Sequence, residues 1–461
     1  MLKKILFVPF LLSCVMTSAQ STQSAKIDSL LNSLYHKEMF NGNVLVAKGG
    51  KVIYRGSHGR ANETTGERLN PETVFELASV SKAFTAMGIV LLRKKQKLAY
   101  DDLMSKYIPE LAYYGEVTIK QLLQHTSGLP DYMDLFIENW DKSQFVTNEI
   151  IVSEFVKYKP SVLFHPGERF EYSNTGYALL ALIIERVAEE SFSEFLTKNI
   201  FDPLHMNHTF VYRSHYAPRA LKNYAVGYFT DSLDRKIASN SLAKDHYYYY
   251  LDGVVGDGMV NSTLDDLLKW DRALYTDQLV NSADKELIFQ SGVTATGENT
   301  DYGFGWELGK SKKYGRMIYH SGGWAGYTTY IGRQIDHDMT VIVLQNNSST
   351  LTYTPKNEIR KILYDEPLHE AGLKPVKLTD DQILQYVGTY FEPKLPLNIN
   401  FFKKGDLLMI QADGQHALPL DAYDGHTFRY DPANIQLTFN LTTGTVAYTQ
   451  GKANLQFTKK K

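Results

Sequence analysis

Apolar positions change their period along the chain, and each change predicts a different kind of element. Asn43-Val-Leu-Val-Ala47 and Lys51-Val-Ile-Tyr-Arg55 flank Lys48-Gly49-Gly50. This predicts a β-hairpin turned by the glycine pair, with Val44 and Val46 on one face. Helical spacing then dominates from about Ser79 to Phe201. Strand patterns return at Tyr327–Ile331 and Met339–Leu344, on either side of the charged turn Asp336-His337-Asp338. Strands at both ends with helices between predict an α/β sandwich: an antiparallel sheet flanked by helices, with an all-helical subregion.

The pattern breaks between Pro367 and Asp381, a polar stretch holding Pro367, Gly372 and Pro375. Beyond it, apolar residues recur at every second position: Leu397, Ile399 and Phe401; Leu407 and Met409; Ile435, Leu437 and Phe439; Leu455 and Phe457. Gly405-Asp406, Asp424-Gly425 and Thr443-Gly444 separate the runs as turns. Short alternating runs of this kind predict a small all-β barrel or sandwich module. The expected organisation is a leader over residues 1–19, an α/β domain over residues 20–366 and a C-terminal β module over residues 375–461.

Met1–Ala19 is an address label. Lys3 and Lys4 give it a positive start, Ile5–Val15 is mostly apolar, and Thr17-Ser18-Ala19 is a small-residue cleavage site before Gln20. The apolar run is too short for a bilayer span, which takes about 20 residues. A cleaved secretory signal peptide is therefore expected, with a periplasmic or secreted protein and no stable membrane span. Leu11-Leu12-Ser13-Cys14 also resembles a lipobox, but leucine two positions before the cysteine fits poorly, which disfavours a lipid anchor on Cys14.

Composition narrows the function classes. The length of 461 residues exceeds what one core usually holds, which again implies two units. Hydrophobic residues at 43% and charged residues at 22% exclude a fibre, a disordered tail and a polytopic membrane protein. Lys and Arg number 49 against 51 Asp and Glu, so no basic excess exists to neutralise phosphates, and nucleic acid is not an expected partner. Cys14 is the single cysteine, which excludes a disulfide framework and a cysteine zinc site.

Three short patterns carry candidate chemistry. Ser79 and Lys82 lie three apart at the start of an amphipathic helix, hence on one face. A serine alcohol needs a neighbouring base to act as a nucleophile. At a helix start it also presents its own N–H to a developing oxyanion. Taken alone the pair reads better as an N-cap serine with a solvated lysine. Ser81 competes with Ser79, but no lysine follows it three residues on. After the Pro166-Gly167 turn, Tyr172-Ser173-Asn174 offers a phenol for proton relay and an amide able to hold Lys82 and a substrate carbonyl. His320-Ser321-Gly322-Gly323 precedes a strand, and its small residues let a substrate backbone lie along the edge.

Together, and in this order, Ser79-x-x-Lys82, Tyr172-x-Asn174 and His320-x-Gly322 resemble the three motifs of the serine β-lactamase and penicillin-binding-protein superfamily. The resemblance is to the branch of class C β-lactamases, D-stereospecific peptidases and related esterases. Leu122–Pro130, Ile200–Leu204, Gly256–Asp266 and Tyr302–Trp306 match as well, so the resemblance runs from about Phe40 to Asn347. It implies that Lys82 and Tyr172 deprotonate Ser79, which attacks a carbonyl. The oxyanion would sit between the N–H groups of Ser79 and Gly323, with Asn174 orienting Lys82 and substrate. No cofactor or metal is implied. The resemblance leaves oligomeric state open.

The third motif departs from β-lactamases of this branch, which usually carry lysine where His320 stands. Histidine is mostly neutral at pH 7 and clamps a substrate carboxylate poorly. The reading therefore leans to a hydrolase of D-amino-acid-containing peptides or small esters. A β-lactamase or DD-carboxypeptidase is the alternative, and a slowly acylating penicillin-binding sensor is an alternative of another class. Tyr247–Tyr250 reads as ordinary aromatic packing in preference to a shelf along the cleft. His205 and His208 read as structural, and Gly309-Lys310-Ser311 lacks the glycine of a phosphate-binding loop.

Overall fold

The computed structural model describes residues 10–231, 235–368, 373–393, 395 and 397–460, with side chains from Thr22 onward. The first nine residues of the expected leader, and the side chain of Cys14, lie outside the described part. Residues Phe10–His36 form one helix. Among the described residues, no helix is long and apolar enough to cross a membrane.

Contacts divide the chain into two units. Of the described residues, one comprises those up to Ser24 together with Phe40–Ser349, and the other Ala25–Met39 together with those from Thr350 onward. The first unit is built on a six-stranded antiparallel sheet: β1 (Gly42–Lys48), β2 (Lys51–His58), β3 (Glu307–Ser311), β4 (Gly315–Trp324), β5 (Tyr327–Gln334) and β6 (Met339–Gln345). Its order is β2-β1-β6-β5-β4-β3, so the chain's early hairpin meets its late strands at the β1–β6 pair. Every residue of β6 is buried, which explains its continuous apolar run. Asn43 and Leu45 are as buried as Val44 and Val46, so β1 buries both faces and not the one expected.

The helix Lys82–Lys94 buries every residue from Lys82 to Leu92. It lies against Asn174–Ala188, where a Cβ on Gly88 would fall 2.7 Å from Ile184 Cδ1. Phe84 stacks on the buried Trp270 with ring centroids 4.5 Å apart. These helices, the sheet and the loop before β3 share one continuous apolar core.

The second unit contains a closed eight-stranded barrel running up and down from Gly388 to Lys459, each strand pairing with the next and the first with the last. Closure resolves the expected barrel-or-sandwich choice and removes the sheet edges. Phe439 is the hub of its interior, with Phe401, Tyr386 and Phe428 rings at 4.9, 5.0 and 5.4 Å. Along Leu407–Ala412 the inward pair is Leu408 and Ile410, opposite Leu420 and Leu418, one residue off the expected Leu407 and Met409. Met409 is buried too, so both parities of this strand are apolar and alternation gave no register.

The contact division falls before the expected Pro367 linker and joins Ala25–Met39 to the barrel unit. Ile27, Leu31 and Leu34 form a buried stripe on that helix. Lys37 pairs with Asp421, and Glu38 with Lys404. Such pairings across hundreds of residues leave no local trace in a sequence.

Candidate active site

Ser79 sits in a 3₁₀ turn, Ala78–Ser81, that runs directly into the helix Lys82–Lys94. The preceding Ala78 is buried and held at φ +49°, a left-handed conformation that costs a residue with a Cβ about 1–3 kcal/mol. His125, Met259 and Ala325 are likewise left-handed. The competing Ser81 is fully buried, and its Oγ accepts the Val260 N–H at 3.1 Å.

Lys82 is fully buried beneath Ser79. Its Nζ lies 3.1 Å from Ser79 Oγ, 3.0 Å from Asn174 Oδ1 and 2.8 Å from the Asp257 carbonyl oxygen. An ammonium donates to all three. A neutral amine bonded to Asn174 and Asp257 keeps its lone pair for the Ser79 proton. Asn174 opens the helix Asn174–Ala188, capped by Ser173. Its Nδ2 donates to Asp131 Oδ2 at 3.0 Å, which turns the amide oxygen toward Lys82. Asp131 itself caps the helix Tyr132–Asn139 through the Met133 N–H. Asp257 is buried, and its Oδ2 accepts the Tyr132 hydroxyl at 2.9 Å. Burial raises this carboxyl above its usual range, against the pull of Lys82 and Tyr132.

Tyr172 lines the cleft beside Ser79, with Lys82 Nζ 4.9 Å from its ring centroid. Among the described residues, its hydroxyl makes no hydrogen bond to Ser79 or Lys82, whose contacts run to each other, Asn174 and the Asp257 carbonyl. The third motif lies on β4. A Cβ on Gly322 would fall 2.4 Å from the Leu77 carbonyl oxygen and from Thr329 Oγ1, and 3.0 Å from Ser79 N. Only glycine lets β4 approach the Ser79 turn this closely. Gly323, one step on, has open space where its Cβ would be.

His320 is turned inward. Its Nδ1 donates to the Ser321 carbonyl at 2.6 Å, and its Nε2 accepts the Tyr302 hydroxyl at 2.8 Å. Burial, aided by Lys82, pushes its pKa down to about 3, so the ring is neutral. His125 is also buried and held neutral by burial, and its Nδ1 accepts the Ser173 N–H at 3.0 Å. Around it stand Tyr172, Tyr302 and Tyr177 at 4.3, 4.5 and 5.0 Å between centroids.

Two cavities meet at Ser79, Tyr172 and Gly323. The smaller, about 340 Å³, is lined by Tyr247, Tyr248 and Trp324. This corrects the expectation of ordinary packing for Tyr247 and Tyr248. That packing does describe Tyr250, which is buried, and Tyr249, which stacks on Phe145 at 5.2 Å. The larger, about 690 Å³, is lined by His320, Asp301 and Glu307 among others.

Asp131, Asp257, His125 and Tyr302 had been given no role from the sequence. Their signal was present: they fall in or beside the blocks Leu122–Pro130, Gly256–Asp266 and Tyr302–Trp306. His205 accepts from Lys269 through its backbone carbonyl, and His208 donates its backbone N–H to Asp266. Among the described residues, no group of three His, Cys, Asp or Glu is arranged to hold a metal.

A buried lysine under an accessible serine, at the junction of a helix start and an antiparallel sheet, defines a serine hydrolase of the β-lactamase and penicillin-binding-protein type. The chain belongs to the Beta-lactamase family, whose model matches residues 29–365. It is 42% identical to penicillin-binding protein 4* of Bacillus subtilis (strain 168) over 371 residues, 79% of this chain and 82% of that protein. The octameric penicillin-binding protein homologue from Pyrococcus abyssi has a similar structure, with a TM-score of 0.67 at 25% identity over 94% of this chain and 99% of that one. The D-amino acid amidase from Ochrobactrum anthropi SV3 shares the fold, with a TM-score of 0.62 at 22% identity, covering 74% and 98% of the two chains.

Proposed function

We propose that this serine hydrolase is secreted and cleaves amide or ester bonds through an acyl-enzyme on Ser79, acting on D-amino-acid-containing peptides or small esters. The observation that carries the reading is the 3.1 Å contact between Lys82 Nζ and Ser79 Oγ at the floor of an open cleft. Lys82 takes the serine proton as Oγ attacks the substrate carbonyl. The oxyanion is held by the N–H groups of Ser79 and Gly323, donors of a kind each worth about 10²–10³ in rate. The proton taken up by Lys82 passes through Tyr172 to the leaving group; water then gives its proton to the same pair as it attacks the acyl carbon, and that proton returns to Ser79 Oγ as the acid leaves. Asn174 holds Lys82 and a substrate amide. The β module carries none of the three motifs.

The neutral, inward-turned His320 supports peptides and esters over β-lactams, since it gives a substrate carboxylate no positive partner. The penicillin-binding name of the Bacillus subtilis relative favours a second reading, a β-lactamase or DD-carboxypeptidase. Turnover of a chromogenic β-lactam, a D-Ala-D-Ala peptide, a D-amino acid amide and a p-nitrophenyl ester separates them. The first reading predicts Ser79-dependent turnover of the amide or ester with slow β-lactam hydrolysis. Rapid β-lactam turnover supports the second, and stoichiometric acylation without turnover of any compound contradicts both.

A further inference from the structure

We propose that the cleft selects substrates by charge and aromaticity together. An aromatic or apolar group lies on Tyr247, Tyr248 and Trp324, and an uncharged or positively charged group, not a free carboxylate, occupies the lobe of Asp301 and Glu307. The proposal rests on Ser79 being the nucleophile and narrows the substrate class of that site.

The two lobes differ in kind. In the smaller, the Tyr248 ring meets Trp324 edge-on at 4.7 Å, and Tyr247 lies 4.2 Å from Tyr248. Phe229 braces Tyr248 from outside the cleft at 5.4 Å. A wall of rings held in edge-on and tilted contacts accepts another ring or a branched apolar group with little ordering cost. Among the described residues lining it, the one carboxyl, Asp257, is engaged by Tyr132.

The larger lobe is acidic. Asp301 is exposed, and Glu307 is half-buried on β3. Neither forms an ion pair among the described residues, and no lysine or arginine lines either lobe. His320, the one basic side chain of the lining, is committed to Tyr302 and Ser321. Lys82 is buried with three acceptors already engaged. A carboxylate entering this lobe would meet two like charges and no counter-ion, whereas an ammonium would meet two partners. In a partly shielded cleft such differences amount to about tenfold in kcat/KM.

Three phenylacetyl esters test this, matched in the aromatic acyl group and differing in the alcohol: glycolate, glycolamide and choline. The expected result is that the glycolamide and choline esters exceed the glycolate ester by at least about tenfold in kcat/KM. Glu307→Gln and Asp301→Asn are expected to raise the glycolate ester and lower the choline ester relative to the glycolamide ester, whose rate doubles as the check on folding. Tyr248→Ala raises KM for all three. A glycolate ester cleaved as fast as the glycolamide ester, or an order unmoved by Glu307→Gln combined with Asp301→Asn, overturns the charge selection. Absence of Ser79-dependent hydrolysis of every ester, p-nitrophenyl acetate included, overturns the nucleophile reading itself.

Discussion

Lys82 Nζ lies 3.1 Å from Ser79 Oγ, and its two other contacts, Asn174 Oδ1 and the Asp257 carbonyl, hold it there. Among the described residues, Lys82 is the side chain hydrogen-bonded to the serine hydroxyl and so the first acceptor of its proton. Lys82→Met removes that acceptor and is expected to lower kcat for ester hydrolysis by about 10²–10⁴. It also leaves the buried Asp257 carbonyl without a donor, at a cost of about 1–3 kcal/mol, and the half-buried Asn174 amide oxygen without its lysine partner. Rates and thermal unfolding of the same variant separate the two effects.

Neighbouring glycines on β4 have opposite demands. Gly322→Ala would drive a methyl group against Leu77, Thr329 and Ser79, so both activity and melting temperature are expected to fall. Gly323→Ala meets no atom within 4 Å, so its melting temperature is expected to hold while activity reports the crowding of the cleft. Equal melting losses in the two variants would contradict the close approach of β4 to the nucleophile turn.

Asp131 reaches Lys82 through Asn174, whose Nδ2 donates to Asp131 Oδ2 and whose Oδ1 accepts from Lys82. Asp131→Ala frees the amide to rotate and removes a helix cap, a loss of about 1 kcal/mol. The expected result is a fall in kcat with KM little changed, and substantial recovery of kcat in Asp131→Asn, whose side-chain oxygen still accepts from Asn174. A kcat for Asp131→Ala equal to that of the parent would remove Asp131 from the positioning of the site.

Much of this site was legible before any fold was known, and the reason is local geometry. Ser79 and Lys82 share a helix face, and Tyr172 and Asn174 sit within two residues of a helix start, so short spacing carried them. Asp131, Asp257 and His125 act through contacts among segments far apart in sequence, so no period marks them, and only the matching blocks in or beside which they fall point to them. The same limit applies to Tyr247 and Tyr248: four tyrosines in a row have no preferred face until Trp324 arrives from β4. In the barrel, Ile399 with Phe401 and Leu437 with Phe439 alternate cleanly, whereas Leu407–Ile410 is apolar at every position and hides its register.

Two buried histidines set an acid limit on stability. His320 and His125 are neutral in the fold but gain a proton near pH 6.5 when unfolded. Below that pH the unfolded chain binds more protons, so stability is full above about pH 6.5 and is lost as pH falls toward about 3 for His320. Each such group contributes up to about 1.4 kcal/mol per pH unit. Asp252, pushed up to about 7 by burial, acts oppositely, since the fold keeps its proton and stability declines as pH rises from about 4 to 7. His320→Gln removes the His320 share of the first effect and leaves that of His125 and the Asp252 effect in place. Its melting temperature is expected to fall less between pH 6 and 4 (roughly the span of the His320 titration) than that of the parent.

The most direct test of the central claim is intact-mass spectrometry with peptide mapping after treatment with a fluorophosphonate, which reacts with activated serines, alongside the Ser79→Ala variant. The account predicts one adduct per chain, mapped to Ser79 and absent from Ser79→Ala, with ester hydrolysis lost in parallel. An adduct on another residue, Ser81 for instance, or hydrolysis that persists in Ser79→Ala, would contradict it.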